Sequence, residues 1–172
     1  DSKDTFIAPT TPKNNYLWAK SLSKMRGQME NNSDARIILG GRTHGFKGKY
    51  AGILEEYLIA KNKGNPIYLL GGFGGVSKII ADMLEEKLPE SHLSDQANID
   101  ASYSDFVSYY NTKENSNPIN YQAIFSDISR EGIASLNNGL SEDENKILFQ
   151  STNILEIVAL VLKGLNNKFK TI

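Results

Sequence analysis

The pattern of apolar and polar residues predicts an amphipathic helix near the start of the chain. Within residues 14–32, apolar side chains recur at near-helical spacing, at Tyr16, Leu17, Leu22, Met25 and Met29. Asn14 or Asn15 is suited to cap the N-terminus of such a helix. We expect Trp18 and Met25 to lie in the core beneath it.

Two consecutive segments then each combine a short apolar strand, a glycine-rich turn and a helix. Residues 35–41, ARIILGG, form an apolar run that ends in two glycines, which is typical of a buried parallel strand. The helix that follows begins at Gly52 and stops before Gly64, a suitable C-cap. Residues 66–75, PIYLLGGFGG, repeat the strand and the turn, and residues 76–88 carry another helical apolar stripe. Two such units predict an α/β fold with a Rossmann-like open, mostly parallel sheet and helices on both faces.

The second half of the chain is predicted to be helical apart from a polar insertion. We expect residues 89–120 to be an irregular insertion with one short helix. Its tyrosines are interpreted as packing residues, with stacking on a base as the alternative. Ser141 and Glu144 have the spacing of a capping box. The helix that they begin extends to Gly164, with a break near residues 151–152.

The composition is that of an ordinary globular protein with one domain. The 172 residues are 40% hydrophobic and carry a formal net charge of -1. This is enough apolar material for a single core over residues 1–172, with residues 1–15 as a flexible lead-in. The near-neutral charge argues against a nucleic-acid polymer as a partner. The absence of cysteine excludes thiolate metal sites and fits a cytoplasmic location, and two distant histidines predict no metal site.

Neither a membrane span nor a signal peptide is predicted. The longest apolar stretch, residues 154–165, contains Glu156 and Lys163 and is short of the roughly 18 residues needed to cross a bilayer. We expect it to form a buried helix. The N-terminus has no basic segment followed by an apolar one, as a signal peptide would.

The two glycine clusters carry the candidate chemistry. Ligands of an open parallel sheet bind outside the carboxyl ends of its strands, where both clusters are expected to lie. Glycine lets main-chain N–H groups approach an anion closely, and a following helix adds its positive end, so the sequence predicts a phosphate site. The candidate residues are the glycine turns with their neighbouring cations, at Gly40, Gly41, Arg42, Lys47, Gly48, Lys49, Gly71, Gly72, Phe73, Gly74 and Gly75.

An acidic pair follows at the start of the second helix. Glu55 and Glu56 lie in the first turn after Gly52. They can stabilise the N-terminus of the helix, or one of them can accept hydrogen bonds from ribose hydroxyls. Periodicity favours neither glutamate over the other for that role. His44 is interpreted as a polar loop residue.

The common nucleotide motifs are absent, and a different family resemblance is present. The chain has no G-x-x-x-x-G-K-[ST] loop, and GGFGG lacks the G-x-G-x-x-G order, which disfavours ATP hydrolysis and dinucleotide redox chemistry. Residues 34–84 instead resemble the SLOG superfamily, which includes the Lonely Guy phosphoribohydrolases and bacterial defence sensors. The match is carried by Gly40-Gly41-Arg42, Lys47-Gly48-Lys49, Gly52-x-x-Glu55-Glu56 and YLLGGFGG at 68–75, and the helix through Arg26 and the tail EIVALVLKGL are also similar.

The resemblance implies a ligand and partners. SLOG modules found beside TIR domains in bacterial antiviral defence are the most similar, which implies a nucleotide ligand such as an NAD-derived signal or a cyclic ADP-ribose isomer, and no catalytic cofactor. It also implies a homo-oligomer and an upstream TIR or other effector domain. In these modules a strand and glycine loop precede the first helix seen here and supply part of the pocket. Either an upstream segment completes the pocket, or another segment takes its place.

The alternative is an enzyme. In an N-glycosidase or a deoxyribosyltransferase-like enzyme, Glu55 or Glu56 would stabilise or attack the anomeric carbon of a nucleotide. Lonely Guy enzymes carry a compact P-G-G-x-G-T-x-x-E signature, whereas a long basic insertion separates Gly41 from Gly52 here. The insertion favours a ligand sensor over a glycosidic site. A purely structural or oligomerisation domain is the third hypothesis.

Overall fold

The fold is a helical domain built around a small parallel sheet. The computed structural model describes residues 7–87 and 101–170, in which seven helices and two strands are formed. In chain order these are α1 (Pro12–Asn31), β1 (Arg36–Leu39), α2 (Gly52–Lys63), β2 (Ile67–Leu70), α3 (Gly75–Leu84), α4 (Ala101–Lys113), α5 (Tyr121–Glu131), α6 (Glu142–Gln150) and α7 (Ile154–Phe169). The predicted α/β class is confirmed at this level.

The two strands pair in parallel, with Arg36 opposite Ile67 and Leu39 opposite Leu70. Helix α2 makes the connection between them, as parallel neighbours require. Alternate side chains of β2 enter different cores. Ile67 and Leu69 pack in the main core with α2 and α3, whereas Tyr68 and Leu70 pack with residues of α6 and α7, such as Leu148 and Val161.

Helix α1 begins earlier than predicted. Thr11 is its N-cap, and the Thr11 hydroxyl accepts a hydrogen bond from the backbone N–H of Asn14 at 3.2 Å. Pro12 follows at the first helical position, where its missing N–H costs nothing. The expected cap at Asn14 or Asn15 is therefore wrong.

The apolar stripe of α1 faces outward. Met25 is 46% exposed, so its assignment to the core is wrong, and Leu17 and Met29 are exposed as well. The buried positions of the helix are Ala19 and Glu30. Helix α1 therefore packs inward through Ala19, Glu30 and the ring of Tyr16.

Strand β1 differs from the buried strand that the sequence predicts. Ile38 is buried, but Ile37 and Leu39 point to the opposite face and are about half exposed. All four residues of β2 are buried. The difference arises because α6 and α7 cover β2 and leave the same face of β1 open.

The C-terminal helices follow the predicted boundaries in part. Ser141 and Glu144 form the capping box, and the chain breaks between α6 and α7 as expected. Helix α7 continues beyond Gly164, which packs closely against Tyr68. The expectation of a buried helix over 154–165 is wrong, because Leu155 is 82% exposed and much of the apolar face of the helix is exposed to solvent.

The aromatic insertion is packed against the first half of the chain. Residues 101–113 of the predicted 89–120 insertion form α4, and residues 88–100 lie outside the described ranges, as do residues 1–6 of the expected lead-in. The ring of Tyr103 contacts Phe46 edge-on at 5.2 Å, and Tyr110 contacts Tyr16 at 5.6 Å. These tyrosines act as packing residues.

Candidate functional site

The two glycine turns meet at the carboxyl ends of β1 and β2. The backbone N–H of Ser77 donates to the carbonyl of Gly40 at 2.8 Å, and that of Val76 donates to the carbonyl of Gly41 at 3.2 Å. In return, the N–H of Gly40 donates to the hydroxyl of Ser77 at 2.9 Å. We name the surface formed by Gly40–Arg42 and Gly71–Gly75 the glycine rim.

Close packing explains glycine at two positions of the rim. Gly75 has a φ of +67°, and a Cβ there would lie 2.5 Å from the carbonyl oxygen of Gly41. Gly41 has a φ of +101°, and its Cβ would lie 2.6 Å from Cγ1 of Ile53. A side chain at Gly75 would therefore separate the two turns, and one at Gly41 would collide with α2.

Some of the main-chain donors expected to bind phosphate are already used inside the protein. The N–H of Gly74 donates to the carbonyl of Gly71 at 2.9 Å, in addition to the N–H groups that join the two turns. The outward groups of the rim are the exposed backbone of Gly41 and the exposed side chains of Arg42 and Phe73. An anion at the rim would therefore be met first by Arg42.

The basic loop after the rim divides its cations. Lys47 is exposed, whereas Lys49 is only 8% exposed. The ammonium of Lys49 donates to the side-chain oxygen of Asn117 at 2.9 Å and lies over the rings of Tyr50 and Tyr110. Burial lowers the pKa of Lys49. His44 is exposed, and its Nδ1 is 2.7 Å from the hydroxyl of Thr43.

Glu55 faces α1. Its carboxylate is buried, accepts from the hydroxyl of Ser23 and forms an ion pair with Arg26. Gly48 and Gly52 lie against the same guanidinium, and a Cβ at Gly52 would be 2.8 Å from it. Arg26 therefore organises the start of α2, although the sequence pattern did not mark it as a site residue.

Glu56 belongs to the same charged layer. Its carboxylate lies 3.7 Å from Nε of Arg26 and 3.5 Å from a terminal nitrogen of Arg36. Arg36 in turn pairs with the buried carboxylate of Glu30. In the sequence this network is visible only as charged residues within α1. The structure shows that they lie on the inner side of the helix, where core positions are normally apolar.

The structure therefore separates the predicted residues into two groups. The glycine rim holds the turn residues and Arg42, while Gly48, Lys49, Gly52, Glu55 and the partly exposed Glu56 lie towards α1. Lys47 is exposed and belongs to neither group. Within residues 7–87 and 101–170, no group of histidine and acidic side chains is arranged to hold a metal ion. No helix in the described ranges has the length and apolarity that a membrane span requires.

Comparison with known proteins identifies a family. A family model described as SLOG cluster2 matches residues 1–148 of the chain. No curated protein and no solved structure matches the chain.

Proposed function

The chain belongs to the SLOG superfamily, and from this premise we propose that it is a nucleotide-binding sensor module whose ligand lies at the glycine rim. Family membership supports a nucleotide-related role. The observation that carries the choice of site is the direct contact between the two glycine turns, which presents Arg42 and Phe73 at one edge of the sheet. In this proposal the sheet is Rossmann-like, and the ligand binds at the edge where the carboxyl ends of its strands lie.

The exposed groups of the rim suit a phosphorylated nucleoside. The guanidinium of Arg42 can make two parallel hydrogen bonds to one phosphate, and the exposed backbone of Gly41 lies beside it. The exposed ring of Phe73 offers a face on which a base can stack. We favour an NAD-derived signal or a cyclic ADP-ribose isomer as the ligand.

A sensor must transmit binding to something else. We propose that the ligand favours one of two states of a homo-oligomer or of an attached effector, such as a TIR domain, through different contacts in each state. The chain itself then needs no catalytic group at the rim.

Ligand binding by an Arg42→Ala variant tests this proposal. NAD, ADP-ribose, cyclic ADP-ribose isomers and nucleoside monophosphates are titrated by calorimetry and by thermal shift. We expect the variant to bind the ligand about tenfold more weakly, the equivalent of one charge-assisted contact, with an unchanged melting temperature because Arg42 is exposed. Lys146→Ala is the control, since its side chain is 40% exposed on α6 and lies outside the glycine rim. Equal losses in both variants, or no response to any nucleotide, would contradict the proposal.

The enzymatic alternative rests on the buried carboxylate of Glu55. To attack an anomeric carbon, this carboxylate would have to exchange its contacts with Ser23 and Arg26 for contacts with the substrate. Chromatographic detection of released base during the same titrations separates the two functions. Base release that is lost in Glu55→Gln or Glu56→Gln would establish an enzyme, whereas a thermal shift without base release is the result expected of a sensor.

A further inference from the structure

A second cavity lies on the helical side of the molecule. It has a volume of about 700 Å³ and is bordered by α1, α2, α4 and α5 together with the segment that joins α4 to α5. This volume is within the range of small-molecule sites. None of the residues of the glycine rim lines the cavity, although Lys49 and Glu55 do.

Lysine side chains dominate the charge of this cavity, and we name it the lysine cavity. They are Lys20, Lys24, Lys49 and Lys61. The acids that line it, Glu55 and Asp127, are each paired with an arginine, and two of the lysines are paired with glutamates on the surface. Among the side chains that line the cavity, four lysines thus stand against two carboxylates. The cavity therefore has an excess of positive charge in a protein of nearly neutral composition.

Lys49 places one of these charges at a buried position. Its ammonium has the oxygens of Asn117 and two tyrosine rings as neighbours, and no carboxylate among the described residues forms an ion pair with it. A buried charge whose partners are all neutral gains more from an added counter-ion than an exposed one does. Burial lowers the pKa of Lys49, and the charges of the nearby carboxylates of Glu55 and Glu114 offset that effect only in part.

We propose that the lysine cavity binds a phosphate-bearing small molecule, in addition to any nucleotide at the glycine rim. Several lysines around one cavity suit phosphate, because phosphate carries concentrated negative charge and an ammonium binds it as a point charge. Leu58 and Ile124 form an apolar wall that would contact the organic part of such a molecule. A bound phosphate would join α1 to the basic loop through Lys24 and Lys49.

Charge reversal on α1 tests this site. Inorganic pyrophosphate and ribose 5-phosphate are titrated into the chain by calorimetry at constant ionic strength, which is held with sodium chloride. Lys24→Glu changes an exposed lysine that lines the cavity, and Lys13→Glu makes the same change at an exposed position of α1 that does not line it. We expect Lys24→Glu to weaken binding of both probes about tenfold or more and Lys13→Glu to leave it within about twofold. Tighter binding of ribose 5-phosphate than of pyrophosphate would identify an organic phosphate as the preferred ligand.

Further variants separate this site from the glycine rim. Lys49→Met removes the buried charge and should also abolish probe binding, and its circular dichroism spectrum shows whether the chain remains folded. Arg42→Ala should bind the nucleotide about tenfold more weakly and retain pyrophosphate binding. The proposal is overturned if neither probe binds the wild-type chain, if Lys24→Glu and Lys13→Glu weaken binding equally, or if Arg42→Ala alone abolishes it. None of these results decides the nucleotide proposal, which is tested separately by the nucleotide titrations described above.

Discussion

At the residue scale, Arg26 connects α1 to the start of α2 in the interior of the domain. Its guanidinium pairs with Glu55 and lies close to Glu56, and both Arg26 and Glu55 are largely buried. Sequence reasoning identified the two glutamates as candidates and left their role open. Their orientation was not predictable, because the partner on α1 is 29 residues away and does not belong to the apolar stripe of that helix.

Removal of Arg26 should destabilise the fold. Arg26→Met leaves the carboxylate of Glu55 buried without its counter-charge, and we expect a loss of about 3 kcal/mol in the free energy of unfolding. Lys146→Met breaks the exposed pair with Glu142 and should cost less than about 1 kcal/mol. Urea unfolding followed by circular dichroism compares the two. Equal losses of stability in the two variants would show that the buried pair contributes no more to folding than the exposed pair.

At the scale of elements, local signals were reliable and burial was not. The capping box at Ser141 and the left-handed C-cap at Gly64 have the predicted positions, because each depends on a few neighbouring residues. The outward face of α1 and the open face of β1 depend on which elements cover them. A pattern of apolar residues indicates that a face prefers burial. It does not indicate whether another element of the described chain covers that face.

The same limit applies to the candidate site. The glycine turns were recognisable because a strand, a turn and a helix occur twice, and parallel strands place equivalent turns at one edge. The inward position of Lys49 was not recognisable, since its neighbours Asn117 and Tyr110 come from the second half of the chain. Spacing along the sequence carries no information on such distant contacts.

Glycine substitutions in two helices should have opposite effects. Gly75→Ala introduces a Cβ at positive φ and 2.5 Å from the carbonyl of Gly41, so we expect a loss of at least about 2 kcal/mol in stability and separation of the two turns. Gly27→Ala lies inside α1 with nothing within 4 Å of the added Cβ. It should gain roughly 0.5 to 1 kcal/mol from lower chain entropy in the unfolded state. Thermal melts measure both changes, and a neutral Gly75→Ala would show that the turns do not need their close contact.

At the scale of the whole molecule, tyrosines join the basic loop to the helices that follow. The hydroxyl of Tyr103 donates to the carbonyl of Lys49 at 2.8 Å and lies 2.8 Å from the hydroxyl of Tyr121. The ring of Tyr121 also contacts Tyr50 edge-on at 5.2 Å. Burial raises the pKa of Tyr103 and of Tyr121, so ionisation of these groups opposes the folded state.

Stability should therefore fall steeply in alkaline solution. Burial raises the pKa of Tyr57 and of Tyr110 to about 12 in the folded chain, from an ordinary value of 10.0. Below pH 10 both states keep these protons and the stability is fully present. Above pH 10 the unfolded chain releases them first, so each tyrosine reduces the free energy of unfolding by about 1.4 kcal/mol per pH unit until its folded pKa is reached. Lys49 acts in the opposite direction, because burial lowers its pKa, but its contribution ends near the ordinary lysine pKa of 10.5.

Urea unfolding at intervals from pH 9 to pH 12 measures this dependence. Tyr57→Phe removes one buried hydroxyl at a fully buried position, so its stability should decline less steeply than that of the wild type above pH 10.5, by about 1.4 kcal/mol per pH unit. The slope is informative even if the substitution alters stability at neutral pH, because that offset is the same at every pH. A wild-type stability that stays constant between pH 10.5 and pH 12 would show that the buried tyrosines ionise as readily in the folded chain as in the unfolded one, and the aromatic contacts between the loop and α4 and α5 would then be open to water.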